Sequence, residues 1–265
     1  VSGIVLTVFT LLCCWGLAPF ARNCQRPTGQ PEPIRRQLQR IAANPRFLKV
    51  VGLYLLLWCA LQLMQPVSLI FLAVVMQLPE SWSTWILIPF QLSALAGLQL
   101  WSRVAGRHGR VCALRWGTAF WIAGCLGASL LVPLDGSTAP LGSFSNGIAL
   151  GLLVLTIMVT GLGASTAYLI PWALLPDAID ADPDKPAGLY TAWMVITQKL
   201  GIGVAVFALG NGLSLSGYQA AQGLAQPTTA LTTIRLCMGL IPAVLIAAGL
   251  LVMRRWPEKG LHRQP

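Results

Sequence analysis

The sequence is poor in charge and poorer still in acid. Charged residues make up 10% of its 265 positions, and Asp and Glu together number only 8. A soluble domain of this length needs a far larger charged surface. Histidine is limited to His108 and His262, neither with an acidic cluster near it in sequence, which argues against a metal site. No HExxH, no nucleotide-binding glycine loop and no pair of catalytic carboxylates occurs, so the sequence carries no sign of an enzyme. The cysteines (Cys13, Cys14, Cys24, Cys59, Cys112, Cys125, Cys237) lack metal-ligand spacing and mostly sit in apolar runs, where they serve packing. Cys24, beside the first apolar run, is the one placed for lipid attachment. That run has no basic stretch before it and no small-residue cleavage site, so no secretory signal is evident.

What the chain does have is hydrocarbon: 55% of its residues are hydrophobic. Runs near the twenty residues that a helix needs to cross a bilayer recur along its length. They predict an all-α membrane protein of about seven transmembrane helices. The spans cover roughly residues 2–20, 48–75, 82–101, one ending near 133, 147–172, 189–213 and 236–253. Trp82, Trp101, Trp172 and Trp256 stand near span ends as interfacial anchors. Gly147 and Gly151, at GxxxG spacing, would let two helices approach closely.

The net charge of +10 would suit nucleic acid if it were gathered on a soluble face, but it is not. Seven of the 18 Lys and Arg lie between Arg22 and Lys49, four between Arg103 and Arg115, and four in the tail. Basic loops alternate with uncharged ones as the chain weaves, which is the positive-inside pattern and excludes a nucleic-acid partner. It places the loop 21–47 and the C-terminus in the cytoplasm and the start of the chain outside, in an inner or plasma membrane. Within that loop, Ile34 to Ala43 sets Ile34, Leu38 and Ile41 on one face and Arg35, Arg36 and Arg40 elsewhere. Such a helix lies on the membrane surface, against lipid. The resulting organisation is a lone span (1–20), a basic linker (21–47), a six-helix bundle (48–253) and a tail (254–265). One span, a long linker and six closely joined spans, with a first residue other than Met, predict part of a longer protein.

Three stretches resemble the glycoside–pentoside–hexuronide:cation symporters, the melibiose permease-like branch of the major facilitator superfamily. The first is Asn44-Pro45-Arg46-Phe47, leading directly into an apolar span. The second is Leu100-Trp101-Ser102-Arg103-Val104-Ala105-Gly106-Arg107-His108-Gly109-Arg110, similar to the superfamily's short basic loop motif. The third and most specific runs from Pro171-Trp172 through Pro176-Asp177-Ala178-Ile179-Asp180-Ala181-Asp182. It continues with Gly188-Leu189-Tyr190 and, later, Gln198-Lys199-Leu200-Gly201. The resemblance implies helices six to twelve of a twelve-helix carrier, so that 1–20 is the last helix of an N-terminal bundle lying upstream. That absent half would hold most of the coupling cation, Na+ or H+, and no other cofactor is implied. The chain departs from the family pattern at Gly106, where an acid is usual, and at Pro186 and Ala187, where arginine and glutamate are common.

Lys199 falls ten residues into its predicted span, roughly 15 Å along the helix. A lysine at that depth costs about 2.5 to 3.5 kcal/mol on insertion scales, so it must meet a polar cavity, a partner charge or both. The resemblance likewise matches it to a lysine associated with cation coupling; the bland reading is a snorkelling or statically paired lysine. Gln62, Gln65, Tyr168, Tyr190, Thr197 and Gln198 join it as candidate pathway residues, since amides and hydroxyls suit hydrogen-bonded recognition of a solute. Thr160, Ser165 and Thr166 are further polar positions of the fifth predicted span, and all such residues also glue helices together. Asp177, Asp180 and Asp182, with Asp184, hold half of the chain's acids and would form a cytoplasmic gate against Arg107 and Arg110. The alternative is a solvated turn at a helix N-terminus. The expected function is the C-terminal half of a cation-coupled symporter for a sugar or glycoside-like solute, working by alternating access. A lysolipid carrier of the same fold, a non-transporting receptor or assembly protein, and a membrane-embedded enzyme are the competing readings.

Overall fold

The computed structural model describes residues 33–79, 82, 85–133, 144–184 and 186–256. The first predicted span therefore lies outside the described residues, as does most of the tail. The chain divides into two units, 1–39 and 40–265. Of the first, the described part is the start of helix α1 (Ile34–Ala43), with Ile34 and Leu38 exposed; Ile41, expected on the same lipid-facing side, is instead buried in the core of the second unit.

Among its described residues the second unit is built of helices joined by turns, with no strand. α2 (Pro45–Ile70) runs into a π turn (Phe71–Val75), and a short 3-10 turn (Trp85–Leu87) leads into α3 (Ile88–His108). α4 (Arg110–Leu130), α5 (Phe144–Ile179) and α6 (Ala187–Leu215) follow, then α7 (Thr228–Met238) and α8 (Leu240–Val252) as two parts of one span. Among the described residues, six helices are long and apolar enough to cross a membrane. α5 packs against α3 and α4, while α2 packs against α8, α6 and α5.

Local chemistry sets several of the ends. Asn44 caps α2, its side-chain oxygen accepting from the Arg46 and Phe47 amides at 3.1 Å, with Pro45 at the first helical position, where no N–H is needed. α3 and α4 are joined by the single residue Gly109, whose φ of 96° a side chain would strain. Arg235 lies in α7 and donates to the Ser129 and Leu131 carbonyls at 3.1 and 2.9 Å, satisfying acceptors that the end of α4 leaves open.

Four expectations differ from what the structure contains. α5 does not stop at Trp172: it passes through Pro171 and Pro176 to Ile179, so Asp177 belongs to a helix. Membrane helices tolerate internal prolines where neighbouring groups satisfy the freed carbonyls. Likewise, the last span starts at Thr228, in a stretch that reads as loop; Thr232 and Thr233 return their hydroxyls to the Thr228 and Thr229 carbonyls, so their polar groups are satisfied within the helix. Trp101 is buried between helices, its Nε1 donating to the Leu162 carbonyl at 2.8 Å, and is no interfacial anchor. Finally, Gly147 and Gly151 face open space among the described residues. Close approach occurs instead at Gly124, where a Cβ would lie 2.8 Å from the Thr160 backbone nitrogen. Thr160, Ser165 and Thr166 are buried at such contacts, and their hydroxyls donate to the Thr156, Leu162 and Gly163 carbonyls. Their hydroxyls are satisfied within α5, so these residues join helices by close packing on glycines and not by hydrogen bonds across them; Thr160 also borders a cavity.

Candidate functional site

At the basic end of the bundle, the start of α2, the end of α5 and the start of α6 meet in a buried polar knot. The Asn44 amide that remains after capping donates to the Ala178 carbonyl at 2.8 Å and to the Tyr190 hydroxyl at 3.2 Å. Tyr190 in turn donates to Asp182 Oδ2 at 2.8 Å. Asp182 also receives Arg40 Nε at 2.9 Å and the Asp184 amide at 3.1 Å, and Arg40 pairs with Asp184 as well. The Phe47 ring stands edge-on to Tyr190, 4.7 Å between centroids. Burial acts to raise the pKa of the Asp182 carboxyl. The Tyr190 hydroxyl, the Asp184 amide and the Arg40 guanidinium outweigh it and hold the group below its ordinary value.

A second bracket lies between α4 and α5. Arg110 Nη2 reaches Asp177 Oδ2 at 3.0 Å and Oδ1 at 3.3 Å, while Nη1 donates to the Ala173 carbonyl. That carbonyl is four residues before Asp177, so one guanidinium ties two points of a single helix turn.

Of the gate residues expected from sequence, Arg110 meets Asp177, and Asp182 meets Arg40 of the linker helix. Arg107 is exposed on the last turn of α3 with no ion pair among the described residues, and Asp180 is exposed in the turn after α5. Tyr190, expected with the pathway, is fully buried and commits its hydroxyl to the knot.

The remaining pathway candidates spread over three helices. Lys199 is exposed on α6, the thirteenth residue of that helix, and makes no hydrogen bond or ion pair among the described residues. Gln198 beside it is buried, and Thr197 and Gln62 are half-buried. Tyr168 is exposed on α5 within an aromatic wall that spacing alone could have revealed, since Tyr54/Trp58 and Tyr168/Trp172 are both four apart. Trp58 meets Tyr168 at 5.3 Å and Tyr54 meets Trp172 at 5.8 Å, edge-on in both cases. Gln65 is separate from these, at the edge of a cavity of about 210 Å³ inside the bundle. The cavity lining is hydrocarbon, aromatic or thioether apart from Gln65, Ser68, Gln91, Thr156 and Thr160. Among the described residues no group of three His, Cys, Asp or Glu is arranged to hold a metal ion.

The chain matches the family described as MFS/sugar transport protein over residues 1–258. It is 31% identical over 239 residues to an uncharacterised symporter of Synechocystis, covering 87% of this chain and 41% of that protein. It is 24% identical to the human sodium-dependent lysophosphatidylcholine symporter 1, covering 97% of this chain and 46% of the relative. The mouse sphingosine-1-phosphate transporter MFSD2B is also 24% identical, over 100% of this chain and 51% of its own length. The chain thus spans about half the length of the curated relatives it matches. Six apolar helical spans among the described residues and a family match across nearly its whole length make this an integral membrane protein that belongs to the MFS/sugar transport family.

Proposed function

We propose that the chain forms the C-terminal half of a cation-coupled symporter whose solute is a single-chain amphiphile. The observation that carries the transporter reading is Lys199. An exposed, unpaired ammonium about 18 Å along a membrane helix is costly against lipid, so its face of α6 requires a polar or protein covering. An N-terminal bundle facing α6 across a central pathway supplies that covering, as alternating-access carriers built from two bundles require. The basic end, with its two ion-pair brackets, is then cytoplasmic. Arg110–Asp177 and Arg40–Asp182 both lie within one bundle. They act as braces that keep the helix ends moving together, and any gate closes against the other bundle.

The amphiphile is favoured by the apolar lining of the internal cavity and by two relatives named for one-chain phospholipids. A sugar is the second reading, favoured by the half-exposed Tyr168 and Trp172 wall, since aromatic faces suit the apolar side of a pyranose. The test is uptake by the full-length protein in proteoliposomes, with labelled lysophosphatidylcholine and a labelled galactoside, with and without an inward sodium or proton gradient. Gradient-driven lysolipid uptake that Lys199→Ala abolishes while sparing expression is the expected result. Galactoside uptake alone selects the second reading, and wild-type uptake by the Lys199 variant removes the role assigned to that lysine.

A further inference from the structure

The internal cavity is distinct from the face that carries Lys199. α2, the π turn, α3, α4, α5 and Met238 of α7 wall it, and α6 contributes no residue. It occupies the half of the bundle away from the basic end, where Phe71 and Leu72 of the π turn form part of the wall.

Its hydrogen-bonding inventory is lopsided. The Ser68 and Thr160 hydroxyls already donate to carbonyls of their own helices, Gln65 and Thr156. The Gln65 and Gln91 side chains, both on exposed residues at its border, have no hydrogen bond among the described residues. Trp121 of α4 is 0% exposed and lines the cavity, yet its Nε1–H has no acceptor among the described residues. Buried donors are almost always satisfied, and an indole N–H can only donate. No charged side chain lines the space. An occupant that matches this wall is neutral and mostly hydrocarbon where it is enclosed, and it brings an acceptor oxygen.

We propose that this cavity binds the acyl chain of a single-chain amphiphile, with Trp121 Nε1–H donating to an oxygen of that ligand. The assignment rests on the amphiphile reading above and adds a site to it: the hydrocarbon part is held inside the C-terminal bundle, apart from the Lys199 face.

The test uses the full-length protein in nanodiscs and lysophosphatidylcholine with a dibrominated stearoyl chain, whose bromines quench nearby tryptophan. Saturable quenching is expected in the wild type. Trp121→Phe should remove part of the quench and weaken binding about five- to tenfold, the range for one lost hydrogen bond. Ala128→Phe, which fills the cavity from a buried lining position, should abolish binding in a protein of unchanged helix content. Unchanged affinity in Trp121→Phe, or in a folded Ala128→Phe, overturns the cavity assignment while leaving lysolipid transport intact. A wild type that transports galactoside and binds no lysolipid overturns the amphiphile reading, and the cavity assignment with it.

Discussion

The Tyr190 hydroxyl donates to Asp182 Oδ2 at 2.8 Å while accepting from Asn44, so one phenol links the start of α6, the turn after α5 and the cap of α2. Every member of that chain is buried, and each is held by a neighbour from another element. Hydrogen bonds to a charged group in such surroundings are worth about 1.5 to 3 kcal/mol. Tyr190→Phe keeps the ring packed on Phe47 and removes only the oxygen. It should lower stability by about 2 kcal/mol, read as an earlier thermal transition in detergent. A transition at the wild-type temperature would mean that water replaces the phenol at no cost.

The depressed pKa of Asp182 fixes a pH window. The carboxylate binds its proton less readily folded than unfolded, so its contribution is complete above the unfolded value of about 3.9. It is lost as pH falls through the lower folded value. Thermal transitions of the wild type and Asp182→Asn should therefore differ by a constant amount from neutrality down to about pH 4 and converge below it. A gap that closes near neutral pH would contradict this.

Arg110 and Asp177 should behave as a coupled pair. Single replacements by alanine, and the double replacement, form a cycle whose coupling is expected to be about 1 kcal/mol, since Arg110 is partly exposed. Exchanging them, Arg110→Asp with Asp177→Arg, should recover part of the loss. Arg107→Ala should leave stability within about 0.5 kcal/mol of wild type, because its side chain is exposed and unpaired among the described residues.

Two glycines separate sequence pattern from contact. Gly124→Val forces α4 away from the Thr160 backbone and should cost about 1 to 3 kcal/mol or prevent folding. Gly147→Val meets nothing within 4 Å among the described residues and should be tolerated. Detergent-extracted yield and thermal transition of both variants check the contrast; equal sensitivity would place an unseen helix against Gly147.

Sequence by itself determined the solvent in which this chain folds. A backbone in hydrocarbon has to satisfy its own hydrogen bonds, so long uncharged runs leave only helices, and Lys and Arg placement orders them. The helix Ile34–Ala43 was legible for a local reason, its apolar residues recurring at helical spacing. Tertiary structure decided what local rules leave open. Tyr190 and Lys199 are both polar residues nine apart on α6, yet one is locked in the knot and the other exposed, because their faces of the helix meet different neighbours. The fifth predicted span ends at 172, whereas α5 carries on through Pro176 to Ile179. Arg40 finds Asp182 across 142 positions, and the orphaned Trp121 donor exists only because helices distant in sequence close a cavity around it. Period and propensity act within a turn or two of helix, whereas a side chain's partner is chosen by how whole helices pack.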